Sequence, residues 1–421
     1  MRRPTVPGPV RAIARTLEEA GHETWAVGGA IRDELLGRRS DDWDLATHAH
    51  PKQVRRIFRR TVPIGMEHGT VGVLVDGMMY EVTTFRRDVE TDGRHAIVAF
   101  AETIEEDLAR RDFTINAVAW HPLREELFDP FGGVADMEAR RLRTVGAPEE
   151  RFREDYLRIL RALRFAGLFG LEIDDATWTA LCGLVEHLGV LSAERVRDEL
   201  TKVLDADANP QRALDLYARS GAIATLYPEL ATLSDAVWRM TVETVAELPR
   251  GRPMLRVAAL VRELAPEAAA AMLLRLRFSN AANDEAAHRA RAAPIPAAAA
   301  DESVFRRWLS ASGPGRLPAL ARIELARAKA ERRLGGEDRV QAVVDAWRKA
   351  RRVLEGRPPL TLEDLELDGR SLISLGMKPG PHFGRILSAL LEWVLDDPDR
   401  NRAELLAVRA RELAAAEAPG G

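Results

Sequence analysis

The chain carries a single cysteine, Cys182, in 421 residues. That excludes an internal disulfide and any zinc site built from several thiolates, and it makes a reducing cytoplasm the expected setting. Long apolar runs are also missing. No segment reaches the roughly 18 apolar residues that a bilayer-spanning helix needs, so no membrane partner is expected. Residues 1–10 hold arginines and prolines but no apolar stretch, so a secretory signal is not expected either. Nor is there an excess of charge of one sign. A formal net charge of −4 argues against binding nucleic acid over the whole surface. Arginines do cluster, at Arg55, Arg56, Arg59 and Arg60, at Arg110 and Arg111, at Arg140, Arg141 and Arg143, and between Arg151 and Arg164. Any one cluster is consistent with a solvated helix face; together, in an acidic protein, they suit a directed groove.

The length exceeds one ordinary core, and roughly two to four compact units are expected. Up to about Gly146 strands and helices alternate. Thr24–Val27 reads as a strand, Gly28 and Gly29 open a helix over Ile31–Leu36, and Asp42–Ala46 reads as a second strand. Val71–Val75 and Met79–Phe85 are β-rich runs joined through Asp76-Gly77, a strong hairpin signal. From Glu149 onward apolar residues recur at helical spacing, as at Leu157, Leu160 and Leu163 and again at Leu181, Leu184 and Leu188. Ala292–Ala300, rich in Ala and Pro, reads as a linker. An α/β head followed by a helical body is the expected organisation.

Side chains two apart on a strand share a face, so Asp42 and Asp44 are expected to point together while Trp43 and Leu45 pack inward. Two carboxylates aimed at one spot repel unless a cation sits between them. Mg²⁺ favours a few carboxylates plus substrate phosphate oxygens. Glu81, with Thr83 on its face, supplies a third carboxylate if its strand neighbours Asp42–Asp44. Gly28-Gly29, between a strand and a helix, allows the backbone to approach a phosphate at a helix N-terminus, and Arg32 adds a cation.

These features fall into an ordered series. Val27-Gly-Gly-Ala-Ile-Arg-Asp33, Asp42-Trp-Asp-Leu-Ala-Thr47, His68-Gly-Thr70, Glu81-Val-Thr-Thr-Phe-Arg86, Arg110-Arg-Asp-Phe-Thr-Ile-Asn-Ala117, Asp129-Pro-Phe-Gly-Gly133, Glu154-Asp-Tyr-Leu-Arg158 and Ser192-Ala-Glu-Arg195 follow one another in the chain. The series resembles the signature of the bacterial class II tRNA nucleotidyltransferases and poly(A) polymerases, and it covers roughly residues 20 to 230. The resemblance implies an α+β fold: a polymerase-β-like nucleotidyltransferase head of mixed sheet and helices, then an all-helical neck, body and tail. It implies a catalytic head over 1–145, a base-recognising neck over 146–210, a body over 211–300 like a degenerate HD domain, and a tRNA-binding tail over 301–421. Asp42 and Asp44 would bind two Mg²⁺ ions, with Glu81 as a third catalytic carboxylate. Gly28, Gly29, Arg32, Arg111 and Asp112 would contact the nucleotide. Asp112 also suits a helix-capping role beside Thr114, and Glu154 suits bracing of its helix.

Cytosine and adenine each set an amino donor beside a ring-nitrogen acceptor; uracil and guanine reverse the order. A carboxylate beside a guanidinium complements the first pattern and opposes the second. The resemblance gives that role to Asp155 and Arg158, expected on one helix over Glu154–Phe165. Arg161 and Arg164 would sit near the triphosphate or clamp the helix. Arg87–Val98, containing Thr91-Asp92-Gly93-Arg94-His95, falls where the family keeps a mobile loop that drives the switch from C to A. It lacks the aromatic residue and proline of familiar versions.

In the C-terminal half, Val237–Thr241 and Leu255–Leu264 resemble a fused HD-type phosphohydrolase domain. Its metal-binding His and His-Asp would align with Arg239 and with Arg262-Glu263, so phosphohydrolase activity is not expected, and His288 is expected to pack rather than ligate. Asp368–Gly384 resembles the family's tail motif. By resemblance, body and tail hold the acceptor stem and TΨC region of tRNA. The implied activity is template-independent addition of CCA from CTP and ATP. Alternatives are an A-adding or CC-adding enzyme, a poly(A) polymerase, or a non-catalytic RNA-binding relic. No obligatory protein partner is evident.

Overall fold

A computed structural model of the chain describes residues 3–91, 96–206 and 210–417. They fall into two compact units, Met1–Ala231 and Thr232–Gly421. The first unit is built on a sheet whose strands are β1 Thr24–Val27, β2 Asp44–Thr47, β3 Thr61–Gly65, β4 Thr70–Val75 and β5 Met78–Thr84, with a separate hairpin β6 Arg86–Thr91 and β7 Ala96–Phe100, and then β8 Ala119–His121 and β9 Glu126–Phe128. The seven-stranded sheet runs β3-β4-β5-β2-β1-β8-β9. β2 and β5 are parallel, and the other neighbours are antiparallel, so the sheet is mixed. Asp92–His95, the centre of the expected mobile loop, lie outside the described residues.

β1 is buried along its whole length, which is why its sequence reads Thr-Trp-Ala-Val with no polar alternation. Trp25 and Val27 meet Ala46, Phe85, Leu108, Ala117 and Ala119 in the head core. Burying each large apolar side chain there contributes about 1.5–3 kcal/mol. Asp76 and Gly77 both adopt positive φ, +50° and +80°, the pattern of a type I′ turn. That turn fixes the β4–β5 register at Gly72 opposite Glu81 and Thr70 opposite Thr83.

Two local expectations are corrected. β2 begins at Asp44 rather than at Asp42. The buried Trp43 indole donates from Nε1 to the Ser40 carbonyl at 2.8 Å, which folds the preceding chain back, so Asp42 lies exposed just before the strand. Nor does one helix run through Glu154–Phe165. Helix Pro148–Glu154 ends, Asp155 is extended (φ −156°, ψ 106°), and a new helix runs over Leu157–Phe169. Asp155 Oδ1 accepts the Leu157 N–H at 3.0 Å, satisfying a donor at the new helix's first turn in the manner of a cap. Outside the seven-stranded sheet and the β6–β7 hairpin, the strands among the described residues are a two-residue parallel pairing of Arg141–Leu142 with Glu172–Ile173. The helix Ala193–Ala206 follows.

The second unit is helical throughout its described residues. One core gathers around Phe305, Leu309 and Leu395, another around Leu372, Leu390 and Leu406. Ala292–Ala300 joins helices Asn280–Arg291 and Glu302–Ser312. Arg262 pairs with Glu324 and Glu263 with Arg327. His288 Nε2 donates to the Ser312 carbonyl at 2.7 Å. No helix among the described residues is long and apolar enough to cross a membrane.

Candidate active site

A cleft of about 660 Å³ opens in the first unit over the central strands β1, β2 and β5. At one end stand the carboxylates. Parallel pairing sets Asp44 opposite Glu81, and antiparallel pairing sets Asp44 opposite Val27, one residue before the glycine turn. Gly28 has φ +80°, and a Cβ there would stand 3.2 Å from Arg111 Nη1 and 3.5 Å from Asp44 Oδ2. Only glycine gives the backbone that conformation and that closeness to the carboxylate without strain. Gly29 then starts helix Gly29–Leu35.

Burial pushes the Asp44 carboxyl up to about 6, and repulsion from Asp42 and Glu81 adds to it, while Arg111 and Arg86 pull it back. Asp44 therefore stays ionised at neutral pH against the pull of its surroundings. Asp42 does not line the cleft, though its charge is felt at Asp44. Among the described residues, no three His, Cys, Asp or Glu side chains form a ready-made metal cage. The donor set still fits magnesium, which binds through one or two carboxylates and completes its shell with substrate phosphates and water.

The rest of the cleft is cationic. Arg32, Arg86, Arg110, Arg111, Arg158, Arg161, Arg164, Arg195 and Lys202 line it, against Asp44, Glu81, Asp107, Asp112 and Asp155. A protein of net negative charge thus concentrates positive charge where a triphosphate would need it. Each predicted nucleotide-binding residue lies on this wall, and most are fixed by a carboxylate. Arg32 is buried, bonded to Asp33 at 2.9 Å and Asn116 at 2.7 Å, with its guanidinium 4.5 Å from the centre of the Phe169 ring. Arg111 is held by Asp107 at 3.2 Å. Burial opposes ionisation of Asp112, but Arg161 at 2.7 Å, the Asn116 amide and the Phe113 N–H outweigh it and hold the carboxyl at about 2. Its Oδ1 accepts from the Phe113 N–H at 2.8 Å and from the Asn116 amide at 2.9 Å, but the short helix Thr114–Asn116 has Phe113 at its N-cap and no side-chain cap hydrogen bond, so Asp112 does not cap it.

The expected Asp155–Arg158 pair does not form. Asp155 Oδ2 accepts from Arg195 at 2.6 Å, whereas Arg158 pairs with Glu154 and donates to the carbonyls of Arg151 and Arg110. Both side chains still face the cleft. The helix break at Asp155 turns its carboxylate away from the i,i+3 position that a continuous helix would give it. Arg164 pairs with Glu199 at 2.7 Å, and Lys202 reaches the same carboxylate at 3.0 Å. Asp107, Glu199 and Lys202 line the cleft or hold its arginines without any local sequence signal, whereas Arg195 and Asn116 fall inside the motifs Ser192–Arg195 and Arg110–Ala117.

Comparison with known proteins agrees with this arrangement. Residues 24–143 match the poly A polymerase head domain, and residues 170–233 match a probable RNA and SrmB-binding site of polymerase A. A CCA-adding enzyme of Levilactobacillus brevis is 34% identical over 385 residues, 90% of this chain and 91% of the relative. One of Anoxybacillus flavithermus is 41% identical over 252 residues, 59% of this chain and 63% of the relative. The crystal structure of Bacillus stearothermophilus CCA-adding enzyme in complex with CTP is 31% identical, with a TM-score of 0.75 over 98% of this chain and 99% of that chain. With likeness of that extent joined to a mixed-sheet head, a carboxylate pair at its centre and a helical remainder, the chain belongs to the CCA-adding enzymes, a family of tRNA nucleotidyltransferases.

Proposed function

We propose that this chain adds CCA to the 3′ end of tRNA from CTP and ATP, without a template and with release of pyrophosphate. The observation that carries the reading is the Asp44–Glu81 register pair standing beside the Gly28 turn at the mouth of an arginine-lined cleft. Asp42 and Asp44, with Glu81, would hold two Mg²⁺ ions, which when bound activate the attacking hydroxyl and steady the leaving oxygen. Gly28, Gly29, Arg32, Arg111 and Arg161 orient the triphosphate, and their prior fixation by Asp107, Asp112 and Asn116 means little reorganisation on binding. The 3′ hydroxyl of the RNA attacks the α-phosphorus, a P–O bond forms to it, and pyrophosphate leaves toward the basic wall.

Asp155 and Arg158 select the base. A carboxylate offers about four acceptor positions, so the contacts of Asp155 to Leu157 and Arg195 leave room to accept an amino group from C or A. Uracil or guanine would leave a buried acceptor facing a carbonyl, at a cost of about 1–3 kcal/mol. The family name of the relatives and the CTP complex of the Bacillus stearothermophilus enzyme support the substrate assignment. The head, neck, body and tail division, the grip of body and tail on the acceptor stem and TΨC region, and a cytoplasmic setting belong to the same reading.

The test is extension of tRNAs ending before CCA, before CA and before A, each with single and paired nucleotides. CTP alone should add two residues to the shortest, and CTP with ATP three. No CTP incorporation onto the shortest tRNA would reduce the enzyme to A addition, and long runs of A would make it a poly(A) polymerase.

A further inference from the structure

The sheet face that carries Glu81 continues past the cleft as an apolar surface. Met79 lies two residues before Glu81 on β5 and so shares its face, and Gly72 on β4 pairs directly with Glu81. Were a Cβ added at Gly72, it would meet Met79 Sδ at 2.8 Å and Ile64 Cδ1 of β3 at 3.5 Å. Met79 and Ile64 therefore close over the same glycine and form one continuous patch. Both are exposed, at 47% and 40%. Gly72 is buried beneath them, and its lack of a side chain lets the methionine lie flat across β4.

The strand order gives this patch a direction. Crossing the sheet from β1 one meets the Gly28 turn, then Asp44 on β2, then Glu81 on β5, then Gly72 on β4 and Ile64 on β3. In phosphoryl transfer the attacking and leaving oxygens stand roughly in line across the phosphorus. With the triphosphate on the Gly28 and arginine side, the attacking hydroxyl enters from the β5–β4–β3 side. We propose that Met79 and Ile64 form the seat for the 3′-terminal base of the RNA being extended, and so place its hydroxyl beside Asp44 and Glu81. The inference rests on the nucleotidyl-transfer reading above. Bare apolar side chains beside a carboxylate pair suit the flat face of a nucleobase, and every base has such a face. A methionine thioether is polarizable and unbranched, so it adapts to unlike partners. That tolerance matches an enzyme whose growing end changes with each addition.

The experiment uses the full chain, Mg²⁺, CTP and a tRNA ending before CCA. The double variant Ile64→Ala/Met79→Ala raises the KM for tRNA about tenfold, the order expected when a well-packed apolar contact is lost. The KM for CTP stays as in the wild type. Met79→Leu retains wild-type behaviour, and Met79→Gln, which keeps the volume but not the apolar surface, raises the same KM. Should the double variant not fold, Met79→Gln at its exposed site carries the test. A primer whose terminal nucleotide lacks its base separates a seat from a merely structural role. It raises the KM of the wild type but adds nothing further in the double variant, since the two changes remove one contact. Wild-type KM for tRNA in the variants, or an equal penalty for the base-less primer in both proteins, overturns the seat. A wild type that adds no nucleotide at all overturns the transfer reading instead.

Discussion

Asp44 and Asp112 line the same cleft and are both largely withdrawn from water, yet their carboxyls titrate far apart, at about 6 and about 2. Burial disfavours the charge in both. At Asp112 it is outweighed by Arg161, Asn116 and the Phe113 N–H. At Asp44 the strongest neighbouring charges, Asp42 and Glu81, have the same sign. At the closed end of the cleft the Asp112 charge is thus compensated by the protein itself, whereas at the open end Asp44 stands among like charges. A charge held without its counter-charge costs stability and persists where an external cation completes it. The comparison separates residues that build the cleft from residues that await a ligand.

The comparison can be broken most sharply at Asp42. It is exposed and makes no wall contact, so Asp42→Ala should leave the urea midpoint and tRNA affinity nearly unchanged. Nucleotide incorporation should fall on the order of 10³-fold or more, since metal-borne charge stabilisation is worth several kcal/mol. Normal turnover would remove Asp42 from the site. Asp112→Asn inverts the pattern. It removes the carboxylate that holds the half-buried Arg161 and should cost about 1–3 kcal/mol of stability. The sign of the pH effect is set by the folded carboxyl lying below its unfolded value. The stabilisation from Asp112 is complete above about pH 4 and is lost as pH falls toward 2, so the gap in urea midpoint between wild type and variant should narrow over that range. A gap that stays constant would contradict the assigned charge state. The smallest effect is expected at Asp155, which has a protein partner in Arg195 besides its proposed part in base choice. Asp155→Ala should lower discrimination against UTP and GTP about tenfold, consistent with one lost polar contact. Selectivity as in the wild type would exclude Asp155 from base choice.

Much of the open end is legible in the amino-acid sequence because its determinants are local. Asp76-Gly77 dictates the hairpin, alternation along β5 puts Glu81 and Thr83 on one face, and the glycine turn precedes the acidic strand by a short connection. The closed end is not legible in the same way. Arg161 finds Asp112 across 49 positions and Arg164 finds Glu199 across 35, and no spacing rule predicts either. The break at Asp155 has no proline or glycine to signal it. There the extended Asp155 takes the Leu157 N–H on one carboxylate oxygen, and Arg195, 40 positions on, holds the other. The curl before Asp44 likewise depends on where one buried indole finds an acceptor. Tertiary partners decided those points.

Asp44→Asn examines the open end directly. The ionised Asp44 costs stability above about pH 6, its folded carboxyl lying above the unfolded value. Removing the charge should therefore raise stability at pH 7.5 in EDTA by about 1–3 kcal/mol, and that gain should vanish below about pH 4. In the same preparation Mg²⁺ should stabilise the wild type and not the variant, and only the wild type should add nucleotides to tRNA. A variant that is less stable than the wild type in EDTA, or that incorporates CTP at the wild-type rate, would contradict a carboxylate held ready for a cation.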